Sequence, residues 1–189
     1  MPSQVTSQET VSVILEASAR ILESHGLHAF NTNAIAARAG VSIGSLYQYF
    51  PNKDTIPLAL IGRFEEALHD AVLNTMQGGR GQERKLRLQL LVRALVMSHY
   101  DRPRLNRVLE AEEERLGSGA NSAAFHASVL QLLEEHKNEV AVRFSAATER
   151  AIIAILRALV DLGLASGVSR RSAEQKAMRA GCGYLLYGG

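Results

Sequence analysis

The sequence predicts an all-helical fold of about nine helices, with a cluster of short helices near the N-terminus and a larger helical remainder. Two observations point there, and a third divides the helices. Apolar residues return at spacings of three and four along most of the 189 residues, the period of a helix that buries one face. No stretch alternates apolar and polar residues over the length of a strand, and no Asn-Gly or Asp-Gly pair marks a hairpin. Breaks at Gly78-Gly79-Arg80-Gly81, Asp101-Arg102-Pro103, Gly117-Ser118-Gly119 and Gly163 to Gly167 separate the later helical stretches.

The elements follow in order. Thr6 with Glu9 fits a capping box, and Ser7 is an equally good N-cap, so the first helix is expected to begin there. Val11, Ile14, Leu15, Ser18, Ile21 and Leu22 line one face, and Gly26 stands just past the end. A short helix from about Asn33 to Ala39 is expected next, capped by Thr32, with Ile35, Ala36 and Ala39 inward and Gly40 as its stop. Ser42 caps a third, in which Leu46 and Phe50 form an i,i+4 apolar pair before Pro51. Asn52 is placed to cap a fourth from Lys53 to about Met76, although Pro57 predicts a distorted start or a later onset. Further helices are expected at about Glu83–His99, Arg104–Leu116, Asn121–Ala146, Glu149–Ala165 and Ser172–Tyr187, with only a weak boundary between Ala146 and Glu149.

Composition narrows the class. With 47% hydrophobic and 21% charged residues, the chain is too apolar for disorder and long enough to bury a core as one domain or two small ones. No stretch reads as a continuous apolar membrane span, and the polar segment Met1 to Glu9 does not read as a secretion signal. A single cysteine, Cys182, leaves no internal disulfide and no cysteine-based zinc site. A reducing, cytoplasmic setting is the expectation. The net charge is only +2. Within residues 1–56, Arg20, Arg38 and Lys53 face Glu9, Glu16, Glu23 and Asp54, so that part is slightly acidic. No strongly basic arm advertises a polyanionic partner.

The informative segment is Thr32–Lys53, TNAIAARAGVSIGSLYQYFPNK. Two short helices joined by Ala39-Gly40-Val41-Ser42 have the spacing of a helix-turn-helix, in which a small residue and a glycine let the helices meet steeply. Ile35, Ala36, Val41, Leu46 and Phe50 are placed to bind the pair to the first helix. That leaves Ser42, Ile43, Gly44, Ser45, Tyr47, Gln48 and Tyr49 as the outward face and leading edge of the second helix. The face suits a DNA duplex. Ser42 and Ser45 bring hydroxyls to a helix N-terminus, which attracts phosphate. Ile43 and Gly44 permit close approach to base edges and thymine methyls, and Gln48 matches an adenine edge. Tyr47, Tyr49 and Lys53 suit backbone phosphates, and Thr32 and Asn33 suit a flanking one.

These residues resemble the TetR family of transcriptional regulators. The resemblance rests on Ile35-Ala36, then Ala39-Gly40-Val41-Ser42, Gly44-Ser45-Leu46-Tyr47, Tyr49-Phe50 and Lys53, and it covers roughly residues 8–60. It implies a homodimer with an N-terminal three-helix DNA-binding domain, here residues 1–52, and a C-terminal effector-binding and dimerisation domain, here 53–189. It implies a palindromic double-stranded operator, released when a small-molecule effector binds, and most such proteins repress. By family position the DNA contacts are Thr32, Asn33, Ser42, Ile43, Gly44, Ser45, Tyr47, Gln48, Tyr49 and Lys53. The near-neutral first segment departs from a strongly basic domain, and a shallow salt dependence is expected, with a slope of about −2 to −4 per half-site.

Other constellations carry less. The six histidines show no His-Glu-x-x-His spacing. His99 with Asp101, and Glu110 with Glu112, Glu113 and Glu114, read as a solvated acidic face with Arg104, Arg107 and Arg115 as neighbours, rather than a metal site. Gly78-Gly79-Arg80-Gly81 lacks the lysine and preceding strand of a phosphate loop. No catalytic residue, cofactor or metal is assigned, and an enzyme is not expected. Helical effector domains line their pockets with apolar and aromatic groups; the candidates are Phe64, Leu68, Val96, Met97, His99, Tyr100, Leu109, Phe125 and Val129. The last two helices are apolar over more than one stripe, which predicts a second buried face against a partner subunit. Ile152, Ile153, Leu156, Leu159, Val160, Tyr184, Leu185 and Tyr187 are the expected interface. The rival readings are a helical protein-interaction module or a small ligand-binding protein without a DNA role.

Overall fold

A computed structural model describes residues 4–78, 101–117 and 145–187, with single positions between them at 86, 89–90, 92–94, 97 and 127. Among the described residues there are seven α-helices and no strand: α1 (Gln4–His25), α2 (Thr32–Ala39), α3 (Ile43–Tyr49), α4 (Thr55–Gly78), α5 (Pro103–Leu116), α6 (Ala146–Ala165) and α7 (Arg170–Tyr187). A single 3-10 turn, Leu27–Ala29, follows α1. Isolated described positions within the expected Glu83–His99 helix, such as Leu86 and Val92, are helical. Most of that helix, and nearly all of the one expected at Asn121–Ala146, lie outside the described residues.

Several boundaries differ from expectation for local reasons. The helix α1 starts at Gln4, so Thr6 and Ser7 lie inside it; nothing between Gln4 and Thr6 breaks a helix. The cap of α2 is Asn31, whose side chain accepts from the Ala34 N–H at 2.9 Å, and Thr32 becomes the first helical residue. The Asn52 side chain accepts from Asp54 and Thr55 N–H groups at 3.0 and 3.1 Å, which delays α4 to Thr55. Pro57 then falls in the first turn, where a missing N–H costs no hydrogen bond. Gly78 is the last residue of α4 rather than its breaker. A fresh start at Ala146 resolves the weak boundary before α6: the Ser145 hydroxyl accepts from the Thr148 N–H at 3.1 Å. Ser169 serves α7 in the same way through the Ser172 N–H.

The chain divides into two compact units, residues 1–64 with 102–119 and residues 65–101 with 120–189. The boundary expected after residue 52 therefore falls inside the first unit. That unit holds α1, α2, α3, the start of α4 and all of α5. Its core joins Ile14, Leu15, Ile21 and Leu22 of α1 to Phe30, Ile35, Ala36, Leu46, Phe50, Ile56 and Leu60, with Leu105 and Leu109 of α5 added from far along the chain. The helix α1 packs against both α2 and α5, so Ala17 and Ala19 are buried together with Ile14, Leu15, Ser18, Ile21 and Leu22 of the expected stripe, while Val11 is half-buried. Buried Ser18 stays satisfied by donating to the Ile14 carbonyl at 2.8 Å.

In the second unit, α6 packs against α7. Leu68, Val72, Val92, Ile152, Ala173 and Ala177 are buried. No helix of the described residues is long and apolar enough to cross a membrane.

Candidate nucleic-acid interface

The turn between α2 and α3 is built by one glycine and one serine. Gly40 closes α2 at φ 68° and ψ 28°, a left-handed conformation that a side chain would strain. Its N–H donates to Ala37 O at 3.3 Å, and the Val41 N–H reaches Ala36 O at 3.1 Å. Ser42 then caps α3: its Oγ accepts from the Ser45 N–H at 3.0 Å and meets the Ser45 hydroxyl at 2.8 Å. Leu46 and Phe50 point into the core at 0% and 5% exposure. Their burial leaves the other side of a two-turn helix facing out.

Most of the expected contacts are exposed, on this side of α3 and on the segments flanking it. Asn33, Ser42, Ile43, Gly44, Tyr47, Gln48 and Lys53 are exposed; for Ile43 and Tyr47 the exposure reaches 39% and 48%. Thr32, Ser45 and Tyr49 are half-buried. Tyr49 packs against the core, so its ring is a prop for the helix as well as a candidate contact. Freed from capping, the Thr32 hydroxyl lies 3.2 Å from the Tyr47 hydroxyl. This bond joins the first residue of α2 to the exposed face of α3 and fixes the tyrosine ring in place.

Two arginines of the α5 segment grip this unit; Arg115 was expected as a neighbour of the acidic face, but the long-range partner of neither was foreseen. Arg102, expected only as part of a break, precedes α5. Its Nε and one terminal nitrogen donate to both oxygens of Glu23 at 2.8 and 2.5 Å, and the other reaches Glu16 at 2.9 Å. Glu16 also accepts from Arg20 at 2.7 Å. Partial burial pushes the Glu16 pKa up, but the hydrogen bonds from Arg20 and Arg102 outweigh it and hold the carboxyl below its ordinary range. The Glu23 hydrogen bonds raise the Arg102 pKa, against a desolvation penalty. At the other end, Arg115 forks onto Glu112 at 2.9 and 2.8 Å and reaches Asp54 at 2.7 Å. Glu112 is 3% exposed, which corrects the expectation of a wholly solvated acidic face: its guanidinium partner allows the carboxylate to be buried. Among the described residues no group of three or more His, Cys, Asp or Glu is placed to hold a metal ion.

The described candidate effector residues are divided between the two units. Leu109 belongs to the core of the first unit, packed there because α5 joins α1, and Phe64 also falls in that unit. Leu68 is buried and Met97 half-buried in the second unit. Val96, His99, Tyr100, Phe125 and Val129 lie outside the described residues. Of the expected interface residues, Ile152 is buried, while Leu159 and Tyr184 are half-buried. Ile153, Leu156, Val160, Leu185 and Tyr187 lie within α6 and α7, but their side chains are outside the description. Leu162, 63% exposed on α6, was not among the expected interface residues.

Comparisons with known proteins bear on the family and the fold. Residues 14–60 match the family model described as bacterial regulatory proteins, tetR family. The nucleoid occlusion factor SlmA of Shewanella frigidimarina is 30% identical over 172 residues, 86% of this chain and 84% of that protein. The protein of the same name from Pectobacterium carotovorum is 32% identical, and the match spans 66% of each chain. Among solved structures, the TetR-like transcriptional regulator LfrR of Mycobacterium smegmatis, in complex with proflavine, superposes with a TM-score of 0.71 at 18% identity, covering 97% of both chains.

Proposed function

The chain belongs to the TetR family of DNA-binding regulators, and from that premise we propose that it works in the cytoplasm as a homodimeric repressor released from its operator by a small molecule. The observation that carries the reading is the outward face of α3. A seven-residue helix is anchored by Leu46 and Phe50 and presents Ile43, Gly44, Tyr47 and Gln48 to solvent. In this reading Gln48 and Ile43 read base edges, whereas Thr32, Asn33, Ser42, Ser45, Tyr47, Tyr49 and Lys53 hold or frame the phosphates.

Dimerisation is supported by the half-buried Ile155 and Leu159 and the exposed Leu162, which follow one another at spacings of four and three along α6. A two-fold axis over that stripe brings it against its own copy. Two copies of α3 separated by about 34–36 Å then meet successive major grooves of a palindromic site. For the effector, the second unit is the proposed host, with Leu68 and Met97 as candidate lining residues. Proflavine in the Mycobacterium smegmatis structure makes a planar cationic aromatic a reasonable first probe.

A gel-shift series tests the assignment. The probe is a duplex that the protein selects from a randomised library. Tyr47→Phe and Lys53→Gln are expected to weaken binding across all sequences. Gln48→Ala and Ile43→Ala are expected to change which bases are preferred, by about 1–3 kcal/mol at the contacted pair. If all four leave binding unchanged, the assignment of α3 as the reading helix is wrong.

The relatives named nucleoid occlusion factors favour a second reading, in which DNA binding marks the nucleoid rather than a promoter. A genome-wide binding map separates the two. A few sites beside gene starts support repression; many sites distributed over the chromosome support the second reading.

A further inference from the structure

We infer that Arg115 is a positioning residue of the DNA-binding surface: from the last turn of α5 it masks the Asp54 carboxylate that stands next to Lys53. This inference rests on the DNA-binding reading above and adds to it a residue outside the helix-turn-helix.

The chain leaves the first unit after Phe64 and returns at Arg102. The returning helix is pinned at both ends, by Arg102 on Glu16 and Glu23 and by Arg115 on Asp54. Arg115 reaches a residue 61 positions earlier, on the turn that follows α3. Asn52 shapes that turn by accepting from the Asp54 and Thr55 N–H groups, which leaves Lys53 exposed and Asp54 beside it. An unmasked carboxylate there opposes the attraction of Lys53 for phosphate. The guanidinium removes that opposition and holds the turn.

Such an arrangement explains how a segment with three basic and four acidic side chains in residues 1–56 can face a polyanion. Glu16, Glu23 and Asp54 are all engaged by arginines, two of which come from beyond residue 101. It also links α5 to affinity. Any movement that withdraws its last turn exposes Asp54 without altering α3.

The test is a double-mutant cycle on the full chain with the selected duplex. Removing Arg115 alone strands the buried Glu112, so the background is Glu112→Gln with Arg115→Gln, which retires that pair together. In this background Asp54→Asn is expected to tighten DNA binding by about 3- to 10-fold at roughly 0.15 M salt, where screening beyond about 8 Å leaves chiefly the pairing of the freed carboxylate with Lys53. With Arg115 and Glu112 intact, the same substitution is expected to change binding less than twofold. Arg115→Lys, which keeps the charge, is expected to retain most of the affinity. Thermal unfolding of each variant reports folding separately, and a purely structural role predicts the same Asp54→Asn effect in both backgrounds. That equality overturns the inference while leaving the DNA-binding reading intact. Failure of the unaltered protein to select any duplex removes both.

Discussion

Single residues decide where the reading helix starts and what it shows. Asn31 rather than Thr32 caps α2, so Asn31→Ala is expected to cost about 1 kcal/mol of stability. Thr32→Val is expected to cost less, because it loses only the exposed bond to Tyr47; chemical unfolding compares the two. Equal losses would mean that the Thr32–Tyr47 bond does more than orient the ring. Asn and Thr are both good caps, and two adjacent candidates are separable only when the partner N–H is seen. By contrast, Gly40 and Ser42 were legible in advance, because a left-handed stop and a hydroxyl cap depend on neighbours within a few residues.

At the scale of elements, the sequence revealed α1 to α4 through periodicity but not the company that α5 keeps. Leu109 was expected in the effector pocket of the C-terminal domain, and Leu105 was given no particular place. What assigns α5 is a long-range match of Arg102 with Glu16 and Glu23, and local spacing carries no trace of such a match. Leu105→Ala or Leu109→Ala is expected to destabilise the first unit by about 2–5 kcal/mol, as for buried leucines elsewhere. The loss should appear in the melting of the native protein; a change under 1 kcal/mol would mean that α5 is only loosely seated.

The same clamp makes a pH prediction. The Glu16 pKa in the folded chain lies below its ordinary value, so the unfolded chain takes up the proton first as the pH drops. The Glu16 contribution is whole above the ordinary glutamate pKa of about 4.3 and is lost as the pH falls through the lower, folded value. Glu16→Gln is expected to flatten that part of the acid unfolding curve. An unchanged curve would show that the Glu16–Arg102 bond contributes nothing in solution.

For the whole molecule, recognition of two grooves requires two copies. Ile155, Leu159 and Leu162 of α6 form the proposed seam, and Leu162→Glu is expected to shift the protein to monomer in sedimentation experiments. DNA affinity should fall with it while the fold persists. A Leu162→Glu variant that stays dimeric would move the interface elsewhere. The over-wide apolar pattern of α6 was visible in the sequence. Which side chains meet a partner was not, because a central core helix has the same pattern.

The most direct test of the account is hydroxyl-radical footprinting of a duplex selected by the protein. The expected result is two protected stretches centred about 10–10.5 base pairs apart, or a multiple of that spacing, related by a two-fold axis. Both should fade together when Tyr47 and Lys53 are replaced. A single unpaired footprint, or protection that survives those replacements, would contradict it.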